Sequence, residues 1–226
     1  MQLRLPLPRR KKHAGGRPAK GPRSSERHET RPTFKPSQPI HVTIRTARAV
    51  GSLRTRDKYQ AIRLALITSF ARERIHVVHL SIQRTHVHLL VEAHDKHALA
   101  RGMQGFQVSA ARHLNRAANT RGTVFPDRYH ARIIRSRRQA RHALAYVLNN
   151  WRRHGEDRAR RWLVDPFSSG ATFAGWRELA HAHVFWPVPA TYQPLPVWLP
   201  HTWLLYEGWK RYGLIRAREV PGPLPA

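Results

Sequence analysis

At 226 residues the chain has room for one domain of ordinary size plus extensions. Its 41 Lys and Arg against 13 Asp and Glu give a net charge of +28, an excess that attracts a polyanion, nucleic acid above all, and that an average soluble enzyme does not carry. With no Cys, disulfides, thiolate catalysis and zinc–cysteine sites are excluded, so a metal would have to sit on His, Asn, Gln or carboxylate groups.

The first 39 residues hold eleven Lys or Arg against Glu26 and Glu29 and show no apolar period, which predicts a disordered basic arm. Within it Gly15-Gly-Arg-Pro-Ala-Lys20 resembles an AT-hook core, whose Arg17 would enter a narrow A/T minor groove. Met1 to Lys12 has no apolar segment of secretory length, and no stretch approaches the roughly 18 apolar residues of a membrane span. The expected location is the cytoplasm, in association with the nucleoid.

Seven of the 17 prolines precede residue 40 and eight follow residue 186, with only Pro126 and Pro166 between, so a packed domain is expected over 40–186 and a Pro/Trp-rich extension over 187–226. His41 to Thr46 alternates and reads as a strand, and Asp57 to Arg74 as a helix with apolar Ile62, Leu64, Leu66, Ile67 and Phe70. Ile75 to Gln83 is a strand expected to turn Val78, Leu80 and Ile82 to one face. Thr85 to Ala93, with Val87, Leu89 and Val91 inward, closes a hairpin with it. A helix over Lys96 to Asn119 carries the stripe Leu99, Met103, Phe106, Ala110 and Leu114; Arg128 to Arg135 is a fourth strand. Gln139 to His154 is a third helix, stopped by Gly155. The order β-α-β-β-α-β followed by a helix predicts an α+β fold: a ferredoxin-like antiparallel sheet with helices on one face. Trp198, Trp203 and Trp209 can pack on this domain or stack on bases, and packing is the expected use.

Two signals carry chemistry. His86 and His88 stand two apart on a strand whose Val87, Leu89 and Val91 face the helices, so both imidazoles emerge on the other side and can converge on one ion. In the third helix Ala140, Leu144, Val147, Leu148 and Trp151 form a stripe expected to face the sheet. Tyr146 and Asn150, one turn apart and well away from that stripe, are expected to reach a site outside the domain's own packing. A tyrosine that cuts DNA needs its phenolic oxygen in line with a phosphate and positive charge on the phosphate's other oxygens. A divalent ion on His86, His88 and the amide of Asn150, Mg²⁺ or Mn²⁺ with open positions for substrate, would meet that need beside Tyr146. A DNA path is expected along Arg101, Arg112 and Arg116 of the second helix, Arg128 and His130, and Arg132, Arg135, Arg137, Arg138 and Arg141 running into the third. Tyr129 is a rival nucleophile, without an amide at helical spacing.

A His-hydrophobe-His strand followed by a helix with Tyr-x-x-x-Asn/Gln resembles the single-tyrosine HUH transposases, and several further stretches resemble the branch of REP-associated tyrosine transposases. These are Pro39-Ile-His-Val-Thr43, Arg101-Gly-Met-Gln-Gly105, Val124-Phe-Pro-Asp-Arg-Tyr-His130, Ala145-Tyr-Val-Leu-Asn-Asn150 and Asp165-Pro-Phe-Ser-Ser-Gly170. The branch often has Pro-Asn-His-Val-His where this chain has Arg84-Thr-His-Val-His88. The resemblance implies a ferredoxin-like HUH domain acting on hairpin-forming single-stranded DNA, as a monomer or a homodimer. It implies that Tyr146 forms a 5′-phosphotyrosine link and releases a 3′-hydroxyl, and that a 3′-hydroxyl then rejoins the strand. His86 and His88 match its metal ligands, and Asn150 the position of its amide. Two other readings remain open: a non-catalytic nucleic-acid binder derived from a transposase, and a hydrolytic metallonuclease in which Tyr146 is a bystander.

Overall fold

A computed structural model of the chain describes residues 33–69, 75–157, 162–180 and 191–222; residues 1–32 of the basic arm, Arg17 among them, and Phe70 lie outside these. Four strands, β1 (Ile40–Arg45), β2 (Ile75–Ile82), β3 (His86–Ala93) and β4 (His130–Ile133), form one sheet in the order β2-β3-β1-β4. Every neighbouring pair is antiparallel. This is the strand order that a βαββαβ chain takes when each crossover skips one strand.

The alternation in β1 and β3 sends Ile40, Val42, Ile44, Val87, Leu89 and Val91 to one face, where α1 (Arg56–Ser69) and α2 (Lys96–Ala117) cover them. α1 contributes Tyr59, Ile62 and Leu66, at spacings of three and four, whereas Leu64 and Ile67 of the expected stripe are 43% and 46% exposed. α2 buries all five residues of its stripe, from Leu99 to Leu114, and begins at Asp95, whose carboxylate accepts the backbone N–H groups of His97 and Ala98. Both helices of the βαββαβ unit therefore share a face, as the order of elements leads one to expect.

The strand β2 departs from simple alternation. Its register against β3 shifts between Val77 and His79, so Val78 is an extra residue. Val77, Leu80 and Ile82 enter the core under α1 and α2, while Val78 enters the opposite one; the expectation that Val78 shares a face with Leu80 is corrected by this bulge.

The third helix, α3 (Arg137–Arg153), is capped by the Ser136 hydroxyl and covers the opposite face, packing Leu144, Val147 and Leu148 with Val78 and Leu90. Its far flank is covered too, by residues 203–217. The helix α4 (Trp203–Tyr206) and the 3-10 turn Gly208–Tyr212 bring Leu205 and Trp209 into the same core, and Ile215 follows. Asn149 donates to Arg216 O and Arg152 to Ala217 O. The C-terminal segment is anchored at Glu92, whose buried carboxylate accepts His201 N, Thr202 N and the Thr202 hydroxyl. Of the three tail tryptophans, Trp209 is buried and Trp198 and Trp203 are exposed. A buried Arg54–Asp165 pair, bidentate at 3.0 and 2.8 Å, ties the entrance of α1 to the stretch after α3. No helix among the described residues is long and apolar enough to cross a membrane.

Candidate active site

The face of the sheet under α3 is the one that receives the side chains left over by the hydrophobic alternation. With Ile40, Val42 and Ile44 turned to α1 and α2, the strand β1 presents His41 and Thr43 to the other side. Pairing places Thr43 opposite His88 on one neighbour and opposite His130 on the other, and His41 opposite Arg132. Directly paired residues share a face, so one row of side chains runs His88–Thr43–His130 across three strands.

The helix α3 closes over this row. Tyr146, Asn150 and His154 follow at four-residue intervals and form one line along it. Its two ends are in contact with the sheet. The Tyr146 ring lies edge-on to the rings of His88 and His41, at centroid distances of 5.2 and 5.9 Å. The His154 ring is 5.7 Å from that of His86, and the His86 and His88 rings are 4.6 Å apart. Asn150 is the middle member of that line. It is fully buried, and neither its amide oxygen nor its amide nitrogen has a hydrogen-bond partner. The expectation that Asn150 reaches outside the packing is thereby corrected: α3 is enclosed by the sheet and by the C-terminal segment, and the site lies between helix and sheet. Tyr146 keeps partial exposure.

His41, His86 and His88 are neutral at neutral pH. Burial, and then the proximity of His130, Arg132 and His86, lowers His41 to about 3. Burial with neighbouring His154 and Arg45 lowers His86 to about 4, and burial holds His88 well below its ordinary value. A neutral imidazole has one nitrogen lone pair to offer. His88 Nδ1 lies 3.2 Å from His41 Nε2 and 3.1 Å from Thr43 Oγ1, while its buried Nε2 has no partner. With its proton on Nδ1, donated to either neighbour, His88 presents the Nε2 lone pair inward, the form that a metal ligand takes. Among the described residues no group of three or more His, Asp, Glu or Cys is set to hold a metal. Of the expected ligands, His88 and Asn150 hold buried polar atoms without a hydrogen-bond partner, which an ion could satisfy.

The remaining sequence candidates separate into groups. His130 and Arg132 share the face of the histidine cluster, and Arg135, Arg137 and Arg138 are exposed about the start of α3. Arg101, Arg112 and Arg116 are exposed on α2, across the sheet from the cluster. Arg128 borders a cleft of about 600 Å³ on that far side, with Gln104, Gln107 and Phe125. Arg141 is engaged within the chain: it pairs with Glu219 and donates to Leu214 O. Tyr129 is 7% exposed and packs in the core beneath α1 and α2, on the wrong face to act with His86 and His88. His41, Thr43 and His154 belong to the site without being part of the His-x-His or Tyr-x-x-x-Asn patterns. For the first two the signal was the alternation of Ile40, Val42 and Ile44; for His154 it was a second step of four beyond Asn150.

The profile of the family described as "Transposase IS200 like" matches residues 34–150, more than half of the chain. The chain belongs to the IS200-like transposase family. The matched stretch includes every strand and both halves of the site, from His41 to Asn150. Among solved structures, a REP-associated tyrosine transposase bound to a REP hairpin aligns at TM-score 0.53 and 17% identity, over 77% of this chain and 99% of that one, and shares the fold. A Deinococcus radiodurans protein named as a transposase candidate aligns at TM-score 0.35 and 14% identity, over 60% of this chain and 97% of its own. No curated protein matches. Transposase function follows from the family.

Proposed function

We propose that this transposase nicks and rejoins single-stranded, hairpin-forming DNA, with Tyr146 as nucleophile and a divalent ion, Mg²⁺ or Mn²⁺, held by His86, His88 and the Asn150 amide. The observation that carries the reading is the seating of the Tyr146 ring against His88 and His41 of the same chain. When bound, the ion polarises the non-bridging oxygens of the phosphate. Tyr146 Oη forms the new bond to phosphorus as the bond to the 3′ oxygen breaks; the phenolic proton leaves to solvent and the 3′ oxygen becomes a hydroxyl. The product is a 5′-phosphotyrosine; attack by a 3′-hydroxyl on its phosphorus breaks the bond to Tyr146 Oη, returns a proton to the phenol and restores the phosphodiester. His41 and Thr43 hold the His88 ring through Nδ1, and with the proton there Nε2 is left for the ion.

The hairpin held by the solved REP-associated transposase supports a hairpin substrate here. His130 and Arg132 beside the cluster, continued by Arg135, Arg137 and Arg138, form the near part of the DNA path. Arg101, Arg112, Arg116 and Arg128 form a second basic surface behind the sheet, and a substrate touching both passes round the edge strand β4. Arg17 of the basic arm is assigned a minor-groove contact.

The test is a labelled hairpin oligonucleotide incubated with the protein, with and without Mg²⁺, and resolved by denaturing electrophoresis. The expected result is a covalent adduct that requires the metal and disappears in Tyr146→Phe. Cleaved DNA with no protein attached would assign the attack to water, and binding without cleavage would leave a DNA-binding regulator.

A further inference from the structure

The C-terminal segment carries most of the large apolar side chains that the described surface exposes. Trp198 is 44% exposed, Trp203 56%, Tyr206 63% and Tyr212 51%. They are arranged rather than scattered. Trp198 stacks on His76 at 4.7 Å, on the side of the sheet that α3 covers. Trp203 and Tyr206 are three apart on α4, and the ammonium of Lys210, one turn further, stands 5.6 Å above the Tyr206 ring. Tyr212 precedes Gly213, whose carbonyl accepts Arg141 Nε of α3.

A soluble chain has no reason to leave four rings in water for its own stability, since such patches mark binding surfaces. Charge selects the occupant. Arg211 and Lys210, the latter also paired with Glu207, lie among the rings, and the molecule carries +28, which repels a second copy and attracts a polyanion. Aromatic faces interleaved with cations are the platform on which unpaired bases stack while the backbone is neutralised. This surface lies wholly outside the stretch matched by the transposase family, residues 34–150.

We infer that the exposed face of residues 198–212 binds single-stranded DNA that flanks the hairpin, by base stacking on Trp198, Trp203, Tyr206 and Tyr212. It extends the path of Arg135, Arg137 and Arg138 beyond α3 and adds affinity for the unpaired flank. The inference rests on the DNA-nicking reading for its substrate but not for its measurement.

Two hairpins are compared in equilibrium binding, one blunt and one with a single-stranded flank of ~10 nucleotides, using full-length protein with Tyr146→Phe to prevent covalent capture. The flanked hairpin is expected to bind more tightly. Trp203→Leu with Tyr206→Ala removes ~10-fold of that gain or more and leaves the affinity for the blunt hairpin unaltered. Leu at 203 is chosen because the Trp203 ring lies against Gly208, and an apolar cover there keeps the turn in place. Lys210→Gln with Arg211→Gln lowers the salt dependence of flanked binding, which the ring substitutions do not. The inference is overturned if the flank adds no affinity, if the gain survives loss of the rings, or if those rings instead support a concentration-dependent dimer in sedimentation. Adduct formation on the blunt hairpin by the unaltered protein is scored separately, so a failure of tyrosine chemistry is told apart from a failure of flank binding.

Discussion

Asn150 is the residue whose placement makes least sense for a stable fold and most sense for a site. A buried amide with neither donor nor acceptor satisfied costs about 1–3 kcal/mol. Asn150→Leu, close in size and without the amide, is therefore expected to raise unfolding free energy in chelator by about 1 kcal/mol, measured by urea denaturation, while Mn²⁺ binding weakens. His41 and Thr43 act at one remove, through Nδ1 of His88. Replacing them by His41→Phe and Thr43→Val keeps bulk and removes both polar contacts. Mn²⁺ affinity by calorimetry is expected to fall ~10–100-fold with little change in melting temperature. Unaltered affinity would free His88 from any dependence on these neighbours.

At the scale of elements, the helix α3 decides whether the chemistry can be assembled, and it is held from two directions. The sheet supports it through Val78 and Leu90, and the segment from α4 onward through Leu205, Trp209 and Ile215. The clasp at Glu92 keeps that segment in place, with three hydrogen bonds to one buried carboxylate. Glu92→Ala is expected to cost about 3 kcal/mol in urea unfolding and to open the chain to proteolysis after residue 191 before the sheet itself unfolds. The elements up to Arg153 were legible because their periods of two and about 3.6 are strong: α2 buries the stripe its sequence displays, and Val87, Leu89 and Val91 point where alternation sends them. Two things were not. The bulge at Val78 leaves the strand's composition unchanged, and only pairing with β3 reveals it. The covered flank of α3 is lined by Arg141, Ala145, Asn149 and Arg152, which have no apolar stripe to announce it, and Glu219, Arg216 O and Ala217 O receive the polar ones.

For the whole molecule, the pairing of His86 and His88 with Tyr146 was legible as two motifs but not as one place. The apolar stripe turns α3 to the sheet, but spacing alone does not say whether Tyr146 then comes to rest over His88. Here it does, and the phenol rests on the imidazoles of its own polypeptide. Were the site complete within one copy, no part would pass between copies. Equal amounts of Tyr146→Phe and His88→Ala protein, mixed before addition of the hairpin, are accordingly expected to yield no covalent product on the electrophoresis gel. Yield per copy of the intact protein would then hold constant on dilution, and each transposition event would be within the means of a solitary molecule arriving at its DNA.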